Sequence, residues 1–377
     1  MTMIDKDKFG QTVLVLQGGG ALGAYQVGVY QALHQAGVEP DWVIGTSIGA
    51  INASLIAGSS PDDRLATMTE FWHRVERLSY VPGPFPAWIT AAARNMLAIT
   101  TGVPSFFTPQ PAAFLSQHSP LGAEDAGYYS VAPLRDTLTD LVDFDRINNG
   151  PTRLTVGASN VNTGQMTYFD SRDNPIDVRH ILASGALPPA FPAVRIDGDL
   201  YWDGGILSNT PVEAVFDDNP RRNALIFAVH LWNAEGREPE TIWEVMNRQK
   251  DLQYSSRAVS HVQRQRQIHN LRSVVAELAS LLPADLRKDN RVAELASYGC
   301  RTRMHVVRLL VPALDNEDHS KDIDFSPRGI AERREAGYAH TMEMLNNRPW
   351  EAPVADHEGF VLHEACGGEM TAPIGGM

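Results

Sequence analysis

The stretch Trp42-Val43-Ile44-Gly45-Thr46-Ser47-Ile48-Gly49-Ala50 decides how this chain is read. Three apolar residues run into Gly45, and a helix-like run leaves from Ile48 to Ala57, stopping at Gly58. Ser47 stands at the corner between strand and helix. Such a corner asks for unusual backbone dihedrals, and a glycine two positions away on each side, Gly45 and Gly49, removes the side chains that would clash. The product, G-x-S-x-G inside a strand–turn–helix, is a nucleophile elbow, which lifts a serine hydroxyl into a cleft. Five residues alone match by chance, so their weight depends on what surrounds them.

Upstream, Thr12-Val13-Leu14-Val15-Leu16-Gln17 is a continuous apolar run, as in a strand covered on both faces. Gly18-Gly19-Gly20-Ala21-Leu22-Gly23 follows, and Ala24 to Ala36 reads as a helix with Gly37 as its stop. Strand, helix, strand, helix in that order implies a parallel sheet with helices on its faces. Adjacent strands then bring the glycine run and Ser47 side by side at the carboxyl edge, where ligands bind.

A serine hydroxyl needs a base to become a nucleophile. The attacked carbonyl needs donors for the charge that grows on its oxygen. Backbone N–H groups at a helix start supply such donors, and Gly18, Gly19 and Gly20 have no side chains to block approach. The run also fits a rival: Gly18-x-Gly20-x-x-Gly23 is the dinucleotide fingerprint. That fingerprint expects an acid at the end of the second strand, whereas Glu39 and Asp41 precede the strand and Gly45-Thr46-Ser47 ends it. A nucleotide-binding oxidoreductase is therefore the second reading. A phosphate-binding loop is weaker still, because no Gly-Lys-Ser/Thr follows.

The common hydrolase order is serine, acid, histidine. His230, ending the apolar run Ala224 to Leu231, is the best-placed histidine, but a lone histidine at a strand end is more often structural. Asp203 is the stronger candidate base. It follows Leu200-Tyr201-Trp202 directly, and Gly204-Gly205 lets another backbone come close. A carboxylate can take the serine proton directly if burial raises its pKa and the hydroxyl is within reach. Taken alone, Asp203-Gly204-Gly205 would be only a turn.

The three features in this order resemble the patatin-like phospholipase family, as a bacterial member with a C-terminal extension. Ala183-Ser184-Gly185-Ala186-Leu187-Pro188-Pro189-Ala190-Phe191-Pro192, then Tyr201-Trp202-Asp203-Gly204-Gly205 and Asn209-Thr210-Pro211, look like the family's later blocks. The resemblance covers about Thr12 to Val215. It implies a three-layer α/β/α fold with a mainly parallel sheet and a helical C-terminal region. It further implies a Ser–Asp dyad of Ser47 and Asp203, an oxyanion hole at Gly18, Gly19 and Gly20, and hydrolysis of lipid acyl esters without metal or other cofactor. Gly23, Gly45, Gly49, Gly204 and Gly205 are the supporting motif positions. Ser184 reads as a packing residue, and Asn160 and Asn209 as turn and cap residues. A lipid-binding regulatory protein with a degenerate site is a third reading, against which the intact Ser47 and Asp203 speak.

A net charge of -13 argues against a nucleic-acid partner, which a basic chain would favour. Cys300 and Cys366 form no metal spacing and read as free thiols in a reducing compartment. Met1 to Gln11 has no apolar run of a secretory signal, and no window is apolar enough to span a bilayer. The expectation is a cytoplasmic protein, open to transient contact with a membrane surface and to homo-oligomerisation.

The expected organisation is a catalytic core over 12–215, a C-terminal region over 216–346 with strands completing the sheet plus long helices, and a loose tail over 347–377. Between Val81 and Tyr129 lies a proline-rich excursion carrying Phe85, Trp88, Phe106, Phe107 and Phe114, which reads as core-covering loops or as a lid or acyl-chain wall. Arg153 to Ala158 and Met166 to Phe169 read as strands, and Asp197-Gly198 as a hairpin turn. A long helix is expected from Glu240 to about Leu282, a strand at Met304 to Val311, and a last helix from Ser326-Pro327 to about Leu345. Between Val245 and Val274 six Lys/Arg accompany one acid, a solvated helical face or, less favoured, a surface for anionic lipid headgroups.

Overall fold

The computed structural model describes residues 4–76, 100–115, 118, 120–312, 320–355 and 357–364. Its strands, in chain order, are β1 (Gln11–Leu16), β2 (Trp42–Gly45), β3 (Thr108–Pro109), β4 (Tyr129–Ser130), β5 (Arg153–Asn160), β6 (Met166–Asp170), β7 (Val194–Ile196), β8 (Asp199–Asp203), β9 (Ala224–His230), β10 (Met304–Leu310) and β11 (Phe360–Glu364). β3 and β4 pair with each other; the rest form one sheet in the order β11-β10-β9-β1-β2-β5-β8-β7, with β6 also on β5. From β11 to β5 every pairing is parallel, while β6 and β8 run antiparallel to β5 and β7 antiparallel to β8.

Side chains on a strand alternate between faces, and here both faces are covered. Leu14, Leu16, Val43, Phe227 and Val229 pack into one core with the helices Ala24–Gln35 and Ile48–Ala57. Val13, Val15, Ile44, Ile226 and Ala228 pack into another, against Val212, Val215 and Phe216 and against Val262 of the helix Ile242–Leu281. That is a three-layer α/β/α arrangement, and it explains why β1 and β9 are apolar throughout.

The register sets the height of each loop. Leu16 on β1 pairs with Gly45 on β2, so the glycine run and Ser47 leave the sheet at the same level. Gly45 pairs with Val156 on β5, and two residues further Ala158 pairs with Asp203 on β8. β8 enters from beyond the carboxyl edge, with Tyr201 opposite Asn160, and stops at Asp203 before running far down β5, so that residue stays near the level at which Ser47 leaves the sheet.

The final helix, Pro327–Asn347, is capped by Ser326, whose hydroxyl accepts the Gly329 amide at 3.2 Å, and it lies along Ala24–Gln35. Two glycines set that approach. A Cβ on Gly28 would collide with the Arg334 carbonyl, and one on Gly337 with the Tyr25 carbonyl. The helix Ile242–Leu281 opens on a capping box between Thr241 and Glu244. Two of its basic residues turn inward: Arg248 donates to the carbonyls of Asn233 and Ala234, and Lys250 pairs with Asp322 at 2.7 Å. No described helix is long and apolar enough to cross a membrane.

Two expectations need correction. The segment 347–377 is not a loose tail throughout: Trp350 is buried against Phe227, and Phe360–Glu364 forms β11, parallel to β10. Its alternating Phe360 and Leu362 pack with the second core, a signal too short to read among polar neighbours. The remainder, 365–377, including Cys366, lies outside the described residues. Ser60-Pro61-Asp62-Asp63 reads in the sequence as a helix start, a capping serine ahead of proline and two acids, but the helix starts at Arg64 instead, after a turn in which the Ser60 hydroxyl donates to the Asp63 carboxylate.

Candidate active site

Ser47 sits between β2 and the helix Ile48–Ala57 at φ 57°, ψ −127°. A non-glycine residue there is strained, and strain of this kind gathers at functional sites. The neighbouring glycines answer to close approach: a Cβ on Gly45 would strike the Gly49 carbonyl, and one on Gly49 the Leu16 carbonyl. Ser184 braces the corner. Its carbonyl and its hydroxyl both accept the Ser47 amide, each at 3.1 Å, and its hydroxyl donates to the Gly157 carbonyl at 2.6 Å. It anchors the elbow's backbone, in keeping with a packing role.

Asp203 ends β8 and is only 2% exposed. Its carboxylate accepts the Gly205 amide at 2.7 Å, and the Ser47 side chain faces the same cavity, near enough to pull the carboxyl's pKa down. Burial pushes this carboxyl up to about 7, against the pull of those two neighbours. The structure thus brings together two side chains that are remote in sequence. Gly204 admits the Gly157 carbonyl where any Cβ would collide, which lets β8 end beside the elbow.

The glycine run lies beside them. Gly18 is held on both sides: its amide donates to the Asn209 carbonyl at 3.3 Å, and its carbonyl accepts Asn209 Nδ2 at 3.1 Å and Trp232 Nε1 at 2.8 Å. The Gly18 amide is therefore engaged, which corrects the expectation of three donors. The amides of Gly19 and Gly20 have no partner among the described residues. Gly20 takes φ +56°, and a Cβ there would meet the Asp322 carbonyl. Residues Gly20–Gly23 make one tight 3-10 turn before the helix Ala24–Gln35 begins. Gly23 leaves room for the side chain of Ile48, the first residue of the elbow helix.

These groups face a cavity of about 270 Å³. Its walls are largely apolar, with Ile51, Phe106, Phe107, Leu134, Phe191 and Phe325 among them. Phe106 and Phe107 come from the proline-rich excursion and pack edge-on with Phe191, so that part of it is a cavity wall. Phe85 and Trp88 lie outside the described residues. Trp232, Tyr254, Asp322, Ile323 and Phe325 also line the cavity, and the sequence had offered no sign of them. They belong to a region with no motif of its own, and only folding carries them to the site.

His230 does not line the cavity. It is buried, its Nε2 has no partner among the described residues, and burial together with the charge of Arg308 lowers its pKa to about 3. The acids that a dinucleotide would need are spent at the opposite edge of the sheet. Glu39 binds Arg64, Tyr30 and His34, and Asp41 binds Lys6 and the Thr12 amide.

A family model described as patatin-like phospholipase matches residues 14–216, more than half of the chain. The chain belongs to the patatin-like phospholipase family. A second model, described as patatin phospholipase, matches residues 252–357, so the region beyond the core is also shared with patatin phospholipases. Lysophospholipase NTE1 of Scheffersomyces stipitis is 25% identical over 226 residues, which is 60% of this chain and 12% of that protein. An uncharacterized NTE family protein of Mycobacterium tuberculosis is 26% identical over 243 residues, 63% of this chain and 55% of that protein. The chain thus matches about half, or much less, of the length of these relatives. VipD from Legionella pneumophila overlaps 89% of this patatin-like chain and 67% of its own, at 17% identity and a TM-score of 0.37, too loose a likeness to argue from.

Proposed function

We propose that this patatin-like protein is a serine lipid acyl hydrolase in which Ser47 and Asp203 act as a dyad. The observation that carries the reading is the Ser47 side chain beside a buried carboxylate, both facing one cavity with two unpaired glycine amides. Ionised Asp203 accepts the hydroxyl proton as Ser47 Oγ bonds to the ester carbonyl carbon. The carbonyl oxygen becomes an oxyanion between the amides of Gly19 and Gly20. As the tetrahedral centre collapses, the carbon–alkoxide bond breaks and protonated Asp203 returns its proton to the leaving alcohol. An acyl group is then esterified to Ser47. A water, losing its proton to the same carboxylate, adds to the acyl carbon; collapse expels Ser47 Oγ, which takes the proton back, and the fatty acid leaves.

The apolar cavity suits an acyl chain, which supports lipid over small polar esters as substrate. The test is labelling with a fluorophosphonate followed by mass spectrometry of the modified peptide. The expected result is a single adduct on Ser47, absent in Ser47→Ala and reduced at least about 100-fold in rate in Asp203→Asn. Undiminished labelling of Asp203→Asn would remove the carboxylate from the mechanism.

A further inference from the structure

We infer that Trp232 is a positioning residue for the oxyanion hole, acting through the peptide that joins Gly18 to Gly19. This inference rests on the hydrolase reading. In a trans peptide the C=O and the N–H point in opposite directions across one rigid plane. The orientation of the Gly19 N–H is therefore set by whatever holds the Gly18 carbonyl. Two donors hold it: Trp232 Nε1 at 2.8 Å and Asn209 Nδ2 at 3.1 Å. With the carbonyl turned to those donors, the unpaired Gly19 N–H is aimed the other way, toward the oxygen of the reacting carbonyl. A lone glycine peptide would flip easily, because Gly19 has no Cβ to restrain its rotation; the indole removes that freedom.

Trp232 is itself held by the region beyond the catalytic core. Its ring packs on Tyr254 with centroids 4.8 Å apart, and the Lys321 ammonium sits 5.5 Å from its centre. Lys321 is fixed by a buried pair with Asp251 at 2.7 Å. The backbone amides of Trp232 and Leu231 both donate to the Gln17 side chain, one residue before the glycine run. Tyr254 and Lys321 lie within residues 252–357, the second matched segment. Trp232 lies between the two matched segments, so the role assigned here links them: the C-terminal region fixes the aim of a donor that the core presents.

Trp232→Phe keeps a stacking ring and deletes the N–H. A second variant carrying β-(3-benzothienyl)alanine at position 232 keeps the indole shape and replaces only the N–H with sulfur. In both, kcat for a medium-chain p-nitrophenyl ester is expected to fall by about 10- to 100-fold, less than the loss of a whole donor. KM is expected to stay within about twofold in the benzothienyl variant, whose ring keeps the shape that Trp232 gives the cavity wall. The second-order rate of fluorophosphonate labelling at Ser47 should fall in parallel, with the pH midpoint of kcat/KM unmoved. If the benzothienyl variant keeps wild-type kcat, or loses only KM, the inference is overturned while the hydrolase reading stands. If the wild-type protein neither turns over esters nor labels at Ser47, the hydrolase reading falls and takes this one with it.

Discussion

Ser47 carries backbone strain and Asp203 carries a desolvated charge, and both costs are concentrated where chemistry is proposed. A positive φ on a non-glycine residue costs about 1–3 kcal/mol. The carboxyl of Asp203 is worth more. With its pKa at about 7 in the fold and about 3.9 in the unfolded chain, the folded state holds the proton more tightly between those values. Its contribution to stability is full below the unfolded value and is lost as pH rises through the folded one, a total of about 4 kcal/mol. Asp203→Asn removes the ionisation and keeps the side-chain oxygen that accepts the Gly205 amide. Thermal unfolding should therefore show the variant more stable than wild type at about pH 8, with the gap closing near about pH 4. A variant no more stable at alkaline pH would mean that the carboxylate is better solvated than its burial indicates. In the proposed dyad the same group sets the activity profile: a base must be ionised to accept a proton, so kcat/KM should rise as pH increases through about 7 and then level off. A profile that turned at about 4 would place an unperturbed carboxylate in the role.

At the scale of elements, what matters is how closely backbones approach. Gly28 and Gly337 sit in two helices about three hundred residues apart in sequence, and each admits a carbonyl of the other helix. Gly28→Val forces the helix Pro327–Asn347 away from Ala24–Gln35, and overpacking of this kind costs about 1–3 kcal/mol or more. The expected outcome is a lowered melting temperature. Because Gly20 at the start of the same helical segment packs on Asp322, a drop in kcat should accompany it. An unchanged melting temperature would show that the helix pair can slide apart without loss. The elements themselves were largely legible. β1, β2, β5, β8, β9 and β10 each announced themselves by apolar runs, and the elbow by its two glycines. β11 was not, because five residues of strand inside a polar segment become apolar only by contact with β10. The start of the helix Arg64–Val75 was misread because Ser60-Pro61 caps a turn as readily as a helix.

At the scale of the molecule, β9 lies between β1 and β10, so the segment 14–216 does not contain its own sheet. A chain ending at Phe216 would expose the whole outer edge of β1, from Gln11 to Leu16, which is now paired with β9. It would also lose Trp232, Tyr254 and Phe325 from the cavity. Unpaired apolar edge strands aggregate, so the truncated chain should be insoluble or lack a cooperative melting transition in circular dichroism. Soluble, active protein from it would show that the core folds without its neighbour.

The order of motifs established the fold class and singled out the proposed nucleophile and the carboxylate that faces it, because these depend on local signals: glycines where backbones must pass, and apolar runs where both faces of a sheet are covered. Tertiary structure alone decided that the Gly18 amide is already engaged, that Asn209 and Trp232 grip the Gly18 carbonyl, and that a distant region walls the cavity. The reason is physical. A hydrogen bond across two hundred residues leaves no periodicity in the chain, and a tryptophan reads as core until the fold shows where its N–H points.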